Sequence, residues 1–215
     1  SKIDNVAHDF YYSVLKNAIT YDRAVGFFSS TALIAIADGL LPFIKNGGKM
    51  RLIASPRLSK GDVEAIQEGY KSREKIIAEA AIRELYQAES YVESNRLKLL
   101  AKLIADNRLD IKLAVVGKHG LYHEKMGIFT DDLGMKIAFS GSMNESYTAM
   151  SMNYESIDVY CSWREESEHK RTMNKISAFE KLWLNQEDDV EVLAFETVKK
   201  EIINRFNDES MSYED

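Results

Sequence analysis

Short apolar segments alternate with longer helix-like segments along this chain, and that order limits the fold more than any other feature. Strands are predicted for "DRAVGFFSS" (22–30), "KMRLIAS" (49–55), "LDIKLAVV" (109–116) and "SIDVYCSW" (156–163). Apolar residues at helical spacing predict helices over residues 4–19, 31–46, 60–88, 94–106, 167–184 and 192–206. Strands interleaved with helices predict an α/β fold with a mixed β-sheet sandwiched between helices.

Residues 122–146, "YHEKMGIFTDDLGMKIAFSGSMNES", concentrate polar groups in an otherwise apolar region. The segment predicts two strands joined by a turn at "DDLG". His123 and Lys125 would share one face of the first strand. Ser142 and Asn144 follow the second strand, where a helix begins and free backbone N–H groups favour an anion. Glu155 could hold an imidazole in one tautomer, and the whole set of groups suits a phosphodiester.

These residues resemble the signature of the phospholipase D superfamily, H-x-K-x4-D followed by G-S-x-N and a later Glu. The matching positions are His123-Glu124-Lys125, Asp131, Gly141-Ser142-Met143-Asn144 and Glu155. The segments "GFFSSTALIAIADGL", "HEKMGIFTDD" and "AFSGSMNESYTAMSMNYES" are similar to nuclease domains of bacterial DEAD/DEAH helicases and restriction systems. The resemblance covers about residues 22–183.

The chain departs from the signature at one position. The pattern places its Asp at position 130, where this chain has Thr130, and Asp131 comes one residue late. Two roles therefore stay open for Asp131: the structural Asp of the family, or a turn residue that caps the hairpin.

The resemblance implies the roles of the site residues. His123 would be the nucleophile and would form a covalent phosphohistidine. Lys125, Ser142 and Asn144 would bind the non-bridging phosphate oxygens, and Glu155 would orient the imidazole. The reaction would need neither a metal ion nor another cofactor.

The chain has one copy of the motif, whereas a second histidine must protonate the leaving oxygen. His119 lies in the turn "GKHG" and is interpreted as a surface or substrate-contact residue, while His8 and His169 are interpreted as structural. The expected solution is a twofold homodimer, formed through the active-site face, that brings two copies of His123 together.

Four further residues are candidates for substrate binding. Lys118 and His119 directly precede the hairpin, and Tyr122 could stack on a base. Phe28 could line the cleft, and it is equally well explained as a buried strand aromatic. Gly141 is expected to serve the motif structurally.

The charge is unevenly distributed over a chain whose net charge is −6. Residues 96–125 contain seven Lys and Arg against three acids, whereas residues 187–215 contain ten acids against three bases. The basic segment leads into the hairpin and favours a nucleic-acid substrate over a lipid.

The organisation predicted from the sequence is simple. Residues 1–207 would form one nuclease domain, and residues 208–215 a polar tail or the start of a linker. A helicase or ATPase domain is expected in the full-length protein. The lone Cys161 cannot form an internal disulfide, and the composition suits the cytoplasm rather than a membrane.

Three functions are compatible with these residues. The favoured one is a metal-independent DNA endonuclease, part of a bacterial restriction or phage-defence helicase-nuclease. The others are a phospholipid phosphodiesterase or transphosphatidylase, and a non-catalytic module for DNA binding or dimerisation.

Overall fold

A computed structural model of the chain describes residues 10–26, 37–56, 73–86, 91–116, 122, 124–141, 156–194 and 196–206. The helices within these ranges are α1 (Ser13–Leu15), α2 (Ala37–Lys45), α3 (Arg73–Tyr86), α4 (Tyr91–Ala105), α5 (Glu166–Trp183) and α6 (Glu196–Phe206). The strands are β1 (Ala18–Val25), β2 (Lys49–Ala54), β3 (Leu109–Val116), β4 (Met126–Asp131), β5 (Lys136–Gly141), β6 (Ile157–Cys161) and β7 (Val190–Ala194).

The strands form one mixed sheet in the order β6-β5-β4-β1-β2-β3-β7. Strands β1, β2 and β3 are parallel neighbours, as expected for strands connected through helices. On the other side of β1, strands β4, β5 and β6 run antiparallel in sequence order. Strand β7 closes the opposite edge, antiparallel to β3.

Helices cover both faces of this sheet. On the first face, Leu15, Phe43, Leu100 and Ile202 of helices α1, α2, α4 and α6 belong to one core cluster with Phe129 of β4. On the second face, Phe179 and Leu182 of α5 pack in a second cluster with Ala24, Ile53 and Ile128 of the central strands. The predicted α/β fold, a mixed sheet between helices, is confirmed.

The helix predicted over residues 192–206 is wrong in its first part. Strand β7 occupies Val190–Ala194, and α6 begins only at Glu196. Five residue pairs join β7 to β3, and the side chain of Asn185 accepts a hydrogen bond from the N–H of Val192 at 2.7 Å. Pairing with the exposed edge of β3 therefore prevails over the helical spacing of the apolar residues.

The end of the helix predicted over residues 4–19 is also wrong. Helix α1 ends at Leu15, and Ala18 and Ile19 already belong to β1. The reason is the ladder to β4, which begins at the pair Ala18–Asp131 and needs these residues extended. Residues 1–9 lie outside the described part of the chain, as do 31–36 and 57–72, on which other predicted helices fall.

The central strand β1 carries an acid whose partners lie on the neighbouring strand and on α5. The guanidinium of Arg51 in β2 donates two hydrogen bonds of 2.7 Å to the carboxylate of Asp22. The same group also contacts Glu180 of α5 and lies 5.0 Å from the ring centre of Phe179. The hydrogen bond to Asp22 is the main cause that raises the pKa of Arg51, so the cation is permanent.

The next residue of β1 carries the opposite charge on the opposite face. Arg23 is only 1% exposed, and its guanidinium lies 4.9 Å from the ring centre of Phe139. That ring covers Gly127, where an added Cβ would come within 2.3 Å of a ring carbon. Because Gly127 has no side chain, the Phe139 ring can pack over it and contact the guanidinium of Arg23.

Replacing Arg51 with Met should lower the free energy of unfolding by about 2 kcal/mol, because it leaves the Asp22 carboxylate unpaired. The Asp22 side chain is only 12% exposed, so water replaces the lost partner poorly. Urea denaturation measures the change. Lys102→Met is the matched control, because its partner Asp106 is 41% exposed; we expect a loss below about 0.5 kcal/mol there. Equal losses in the two variants would contradict the role assigned to Arg51.

Candidate active site

The candidate site lies at the edge of the sheet where the parallel strands have their carboxyl ends. There Val25 at the end of β1 pairs with Ala54 at the end of β2. The first residue of β4, Met126, is paired with Ala24 on one side and with Ser140 on the other. In open α/β sheets this edge is where ligands commonly bind.

One backbone hydrogen bond joins the two halves of the sequence motif. The N–H of Gly141 donates to the carbonyl of Lys125 at 3.1 Å. Lys125 and Gly141 therefore lie side by side at this edge. Lys125 itself is half-buried.

Lys125 does not lie within a strand, as the sequence predicted, but directly before one. Strand β4 begins at Met126, and its ladder to β1 ends at the pair Ala24–Met126. Within the described residues the pairing of β4 with β1 does not continue past Ala24–Met126, so Lys125 does not have the strand position that the sequence predicted.

The motif glycine is required by a close approach between two backbones. A Cβ added to Gly141 would lie 2.1 Å from the carbonyl oxygen of Ser156 and 3.0 Å from the Cα of Ile157. Backbone atoms cannot move aside as a flexible side chain can. Because Gly141 has no side chain, the start of β6 can approach the end of β5 closely beside the candidate site.

Tyr122, which directly precedes the expected nucleophile, is buried. It is 5% exposed, and its ring packs in the second core cluster with Met126 and Phe179. Its buried hydroxyl has no hydrogen-bond partner among the described residues. Burial raises the pKa of Tyr122, and the charge of Glu124 raises it further, so the phenol stays protonated. Stacking of Tyr122 on a base stays a prediction, and it would require the ring to leave the core.

Glu124, between the two motif residues, connects this segment to helix α5. Its carboxylate lies 3.1 Å from the ammonium group of Lys175. Together with the buried ring of Tyr122, this ion pair fixes the chain on both sides of position 123 to the α5 face of the sheet.

Asp131 caps the hairpin turn. Its carboxylate accepts hydrogen bonds from the N–H groups of Leu133 at 3.0 Å and Met135 at 2.8 Å. Gly134 completes the turn with a φ of 79°. Asp131 stands at the far end of β4, about 17 Å from Met126 at the usual strand rise. Of the two roles open from the sequence, this geometry favours the turn residue.

The other predicted site residues lie outside the described part of the chain. They are His123, Ser142, Asn144 and Glu155 among the expected catalytic residues, and Phe28, Lys118 and His119 among those expected to bind substrate. Their roles stay predictions.

Two residues near the site were not singled out from the sequence. Arg23 could have been noticed, because a charged residue inside the apolar strand "YDRAVGF" is unusual. It pairs in the sheet with Gly127, two residues after Lys125, and its charge acts on Tyr122. Lys175 had no comparable signal, because it lies 51 residues from Glu124.

Comparison with known proteins assigns the chain to a family. Residues 15–183 match the family model described as cardiolipin synthase, PLD-like domain. The chain therefore belongs to the phospholipase D-like domain family. This membership supports a phosphodiesterase-type enzyme as its class.

Two solved structures are among those similar to this chain. Nuc from Salmonella typhimurium, a phospholipase D family member, is 13% identical with a TM-score of 0.45. The match covers 87% of this chain and 90% of that one. Phosphatidylserine synthase from Haemophilus influenzae Rd KW20 is 13% identical with a TM-score of 0.48, over 90% of this chain and 40% of that one. None of the curated proteins matches the sequence.

Among the described helices, none has both the length and the apolar character that crossing a bilayer requires.

Gly141→Ala should lower the free energy of unfolding by about 1–3 kcal/mol, because the new methyl group forces β5 and β6 apart. Chemical denaturation gives the change. Gly134→Asn is the control, since a Cβ there meets nothing within 4 Å and Asn tolerates a positive φ. We expect its effect to be below about 1 kcal/mol. An undisturbed Gly141→Ala protein would contradict the close approach of the two strands.

Proposed function

We propose that the chain is a metal-independent endonuclease that cleaves DNA through a covalent phosphohistidine, at a site completed by a second copy of the chain. The observation that carries the proposal is the hydrogen bond from Gly141 to Lys125. It brings Lys125 beside Gly141 at the edge that commonly binds ligands in open α/β sheets, in a chain that belongs to the phospholipase D-like family, and so supports the proposal.

In the proposed first step, Nε2 of His123 attacks phosphorus and the P–N bond forms as the bond to the leaving oxygen breaks. His123 of the second copy gives its proton to that oxygen. The ammonium group of Lys125 and the side chains of Ser142 and Asn144 bind the non-bridging oxygens and offset the charge of the transition state. Glu155 orients an imidazole.

In the second step, water attacks phosphorus and the P–N bond breaks. The imidazole that gave up its proton now takes one from the water, which restores both histidines to their starting states. A fixed lysine and neutral donors supply the charge stabilisation that a divalent ion supplies in other phosphodiesterases. The proposed setting is a bacterial restriction or phage-defence protein in which a helicase or ATPase domain accompanies the nuclease.

His123→Ala should abolish plasmid cleavage, with a rate loss of at least about 10³-fold, because the proposed covalent intermediate forms on this imidazole. Cleavage by the unchanged protein should persist in EDTA. His169→Ala is the matched control: His169 is exposed on α5 and its ring forms a hydrogen bond with the carbonyl of Ser162 at 2.8 Å, at the end of β6 away from the candidate site, so activity should be retained.

Two other outcomes would favour the alternative functions over the proposed one. DNA binding without cleavage by either protein would indicate a binding module. Turnover of phosphatidylcholine vesicles, with intact plasmid, would indicate a lipid phosphodiesterase.

Mixing unchanged and His123→Ala chains tests whether two chains form one active site together. In an equal, fully exchanged mixture of unchanged and His123→Ala chains, about a quarter of the dimers contain two copies of His123. Activity should fall to about that fraction of the value for unchanged protein at the same total concentration. Each chain acting alone would retain about half, and an active monomer by light scattering would contradict the dimer directly.

A further inference from the structure

The short segment before strand β4 is held by contacts other than the ladder between β4 and β1. Within the described residues that ladder ends at the pair Ala24–Met126. Lys125 is attached to β5 through the hydrogen bond from Gly141 to its carbonyl. Glu124 is exposed, and its side chain is attached to α5. The course of this segment therefore depends in part on one side-chain contact.

That contact is the ion pair between Glu124 and Lys175. The two charged groups are 3.1 Å apart, and the side chains are 41% and 27% exposed. An ion pair with this exposure adds little to the stability of the whole fold, because water competes for both charges. Its effect is therefore local, on where the chain before β4 lies relative to α5.

Lys175 projects from a firmly held part of α5. Thr172 stands three residues before it and Phe179 four residues after it, and both are 0% exposed. Residues three and four apart share one side of a helix, so Lys175 lies on the side of α5 that packs against the sheet. One turn further on, Glu180 contacts Arg51 of β2. The ammonium group of Lys175 therefore has a fixed base.

The expected nucleophile lies between two residues that are both attached to this helix. Tyr122 precedes it and is buried in the same core cluster as Phe179 of α5. Glu124 follows it and is paired with Lys175. Consecutive Cα atoms are about 3.8 Å apart, so a shift of Glu124 is passed on to position 123.

We propose that Lys175 is a positioning residue of the active site, which holds the segment of the expected nucleophile in place through its ion pair with Glu124. This rests on the nuclease function proposed above and adds to it a residue that does not touch the substrate. Attack on phosphorus depends steeply on geometry, since a misplacement of about 1 Å can cost about a hundredfold in rate.

The positioning role has a requirement that a phosphate-binding role lacks. Positioning needs opposite charges at positions 124 and 175, and it does not matter which position carries which charge. A direct contact with the substrate would need the cation at position 175 and would not need the acid at position 124. Exchanging the two residues therefore separates the two roles.

Steady-state hydrolysis of bis(p-nitrophenyl) phosphate tests the proposal. Lys175→Met should lower kcat about tenfold and leave KM within about twofold, because an interaction that acts on the geometry of attack is lost. Lys175→Arg keeps the charge, and its kcat should stay within about twofold of the unchanged value. The double variant Glu124→Lys/Lys175→Glu should recover kcat to within about threefold, because it restores the pair.

Lys102→Met is the matched control. Lys102 of α4 is paired with Asp106 at 3.2 Å, and that acid is 41% exposed, as Glu124 is. Helix α4 packs on the other face of the sheet through Leu100. Urea denaturation should show similar small losses of stability in Lys102→Met and Lys175→Met, whereas only Lys175→Met should lower kcat.

Three outcomes would overturn the proposal. One is an unchanged kcat in Lys175→Met, and another is an equal loss of kcat in Lys102→Met. The third is a rise of KM in Lys175→Met that the exchanged pair does not reverse, because Lys175 would then bind the phosphate directly.

NMR spectra of the imidazole groups separate this inference from the proposed function, because they need no activity. The resonance of His123 is the one that His123→Ala lacks. It should move in Lys175→Met and keep its place in Lys175→Arg and Lys102→Met. If it did so in a protein that cleaved neither the ester nor DNA, the positioning role would stand and the nuclease function would fail. A resonance that is the same in all these variants would overturn the positioning role.

Discussion

The central strand β1 buries two adjacent charges of opposite sign, and much of the surrounding structure follows from how each is accommodated. Burying a charge is costly unless it is paired or held against polarisable groups. Asp22 is paired with Arg51, which in turn fixes α5 through Glu180. Arg23, on the other face, lies over Phe139, whose ring needs the empty space at Gly127. Both arrangements tie β1 to its neighbours and bring the ends of β1, β2 and β4 to one edge.

At that edge Lys125 of the first motif segment meets Gly141 of the second. The ladder from β1 to β4 to β5 sets Lys125 beside Gly141, and the glycine is needed because β6 begins directly against it. The fixed points around position 123 are a buried ring, an ion pair to α5 and a backbone hydrogen bond. Such a framework would suit the nucleophile that we propose at position 123, because a reacting group has to be held within a fraction of an ångström of its productive position.

The alternation and spacing of apolar residues predicted the secondary structure correctly where the local sequence pattern and the tertiary contacts favour the same element. Strand β3 occupies the residues predicted, 109–116, because its apolar residues alternate with Asp110 and Lys112 in the first half and are continuous and largely buried in the second. Strand β7 was not predicted because its apolar residues also fit helical spacing. Its pairing with the edge of β3, a tertiary contact, favours the strand over the helix. The placement of Lys125 before β4 depends on where the ladder to β1 stops, which no local pattern reveals. The turn role of Asp131 was recognised as one of two options, and its hydrogen bonds favour that option.

The position of a charged residue along the sequence is a poor guide to whether that residue is available to bind phosphate. The run of bases before the hairpin suggested a phosphate-binding surface, yet Arg108 and Lys112 are used to join a helix end and a loop to the sheet. The excess of bases counted along the sequence therefore overstates the positive charge that this region can present to a polyanion, because the potential at short range is set by the nearest charges, and these cations lie against groups of the fold.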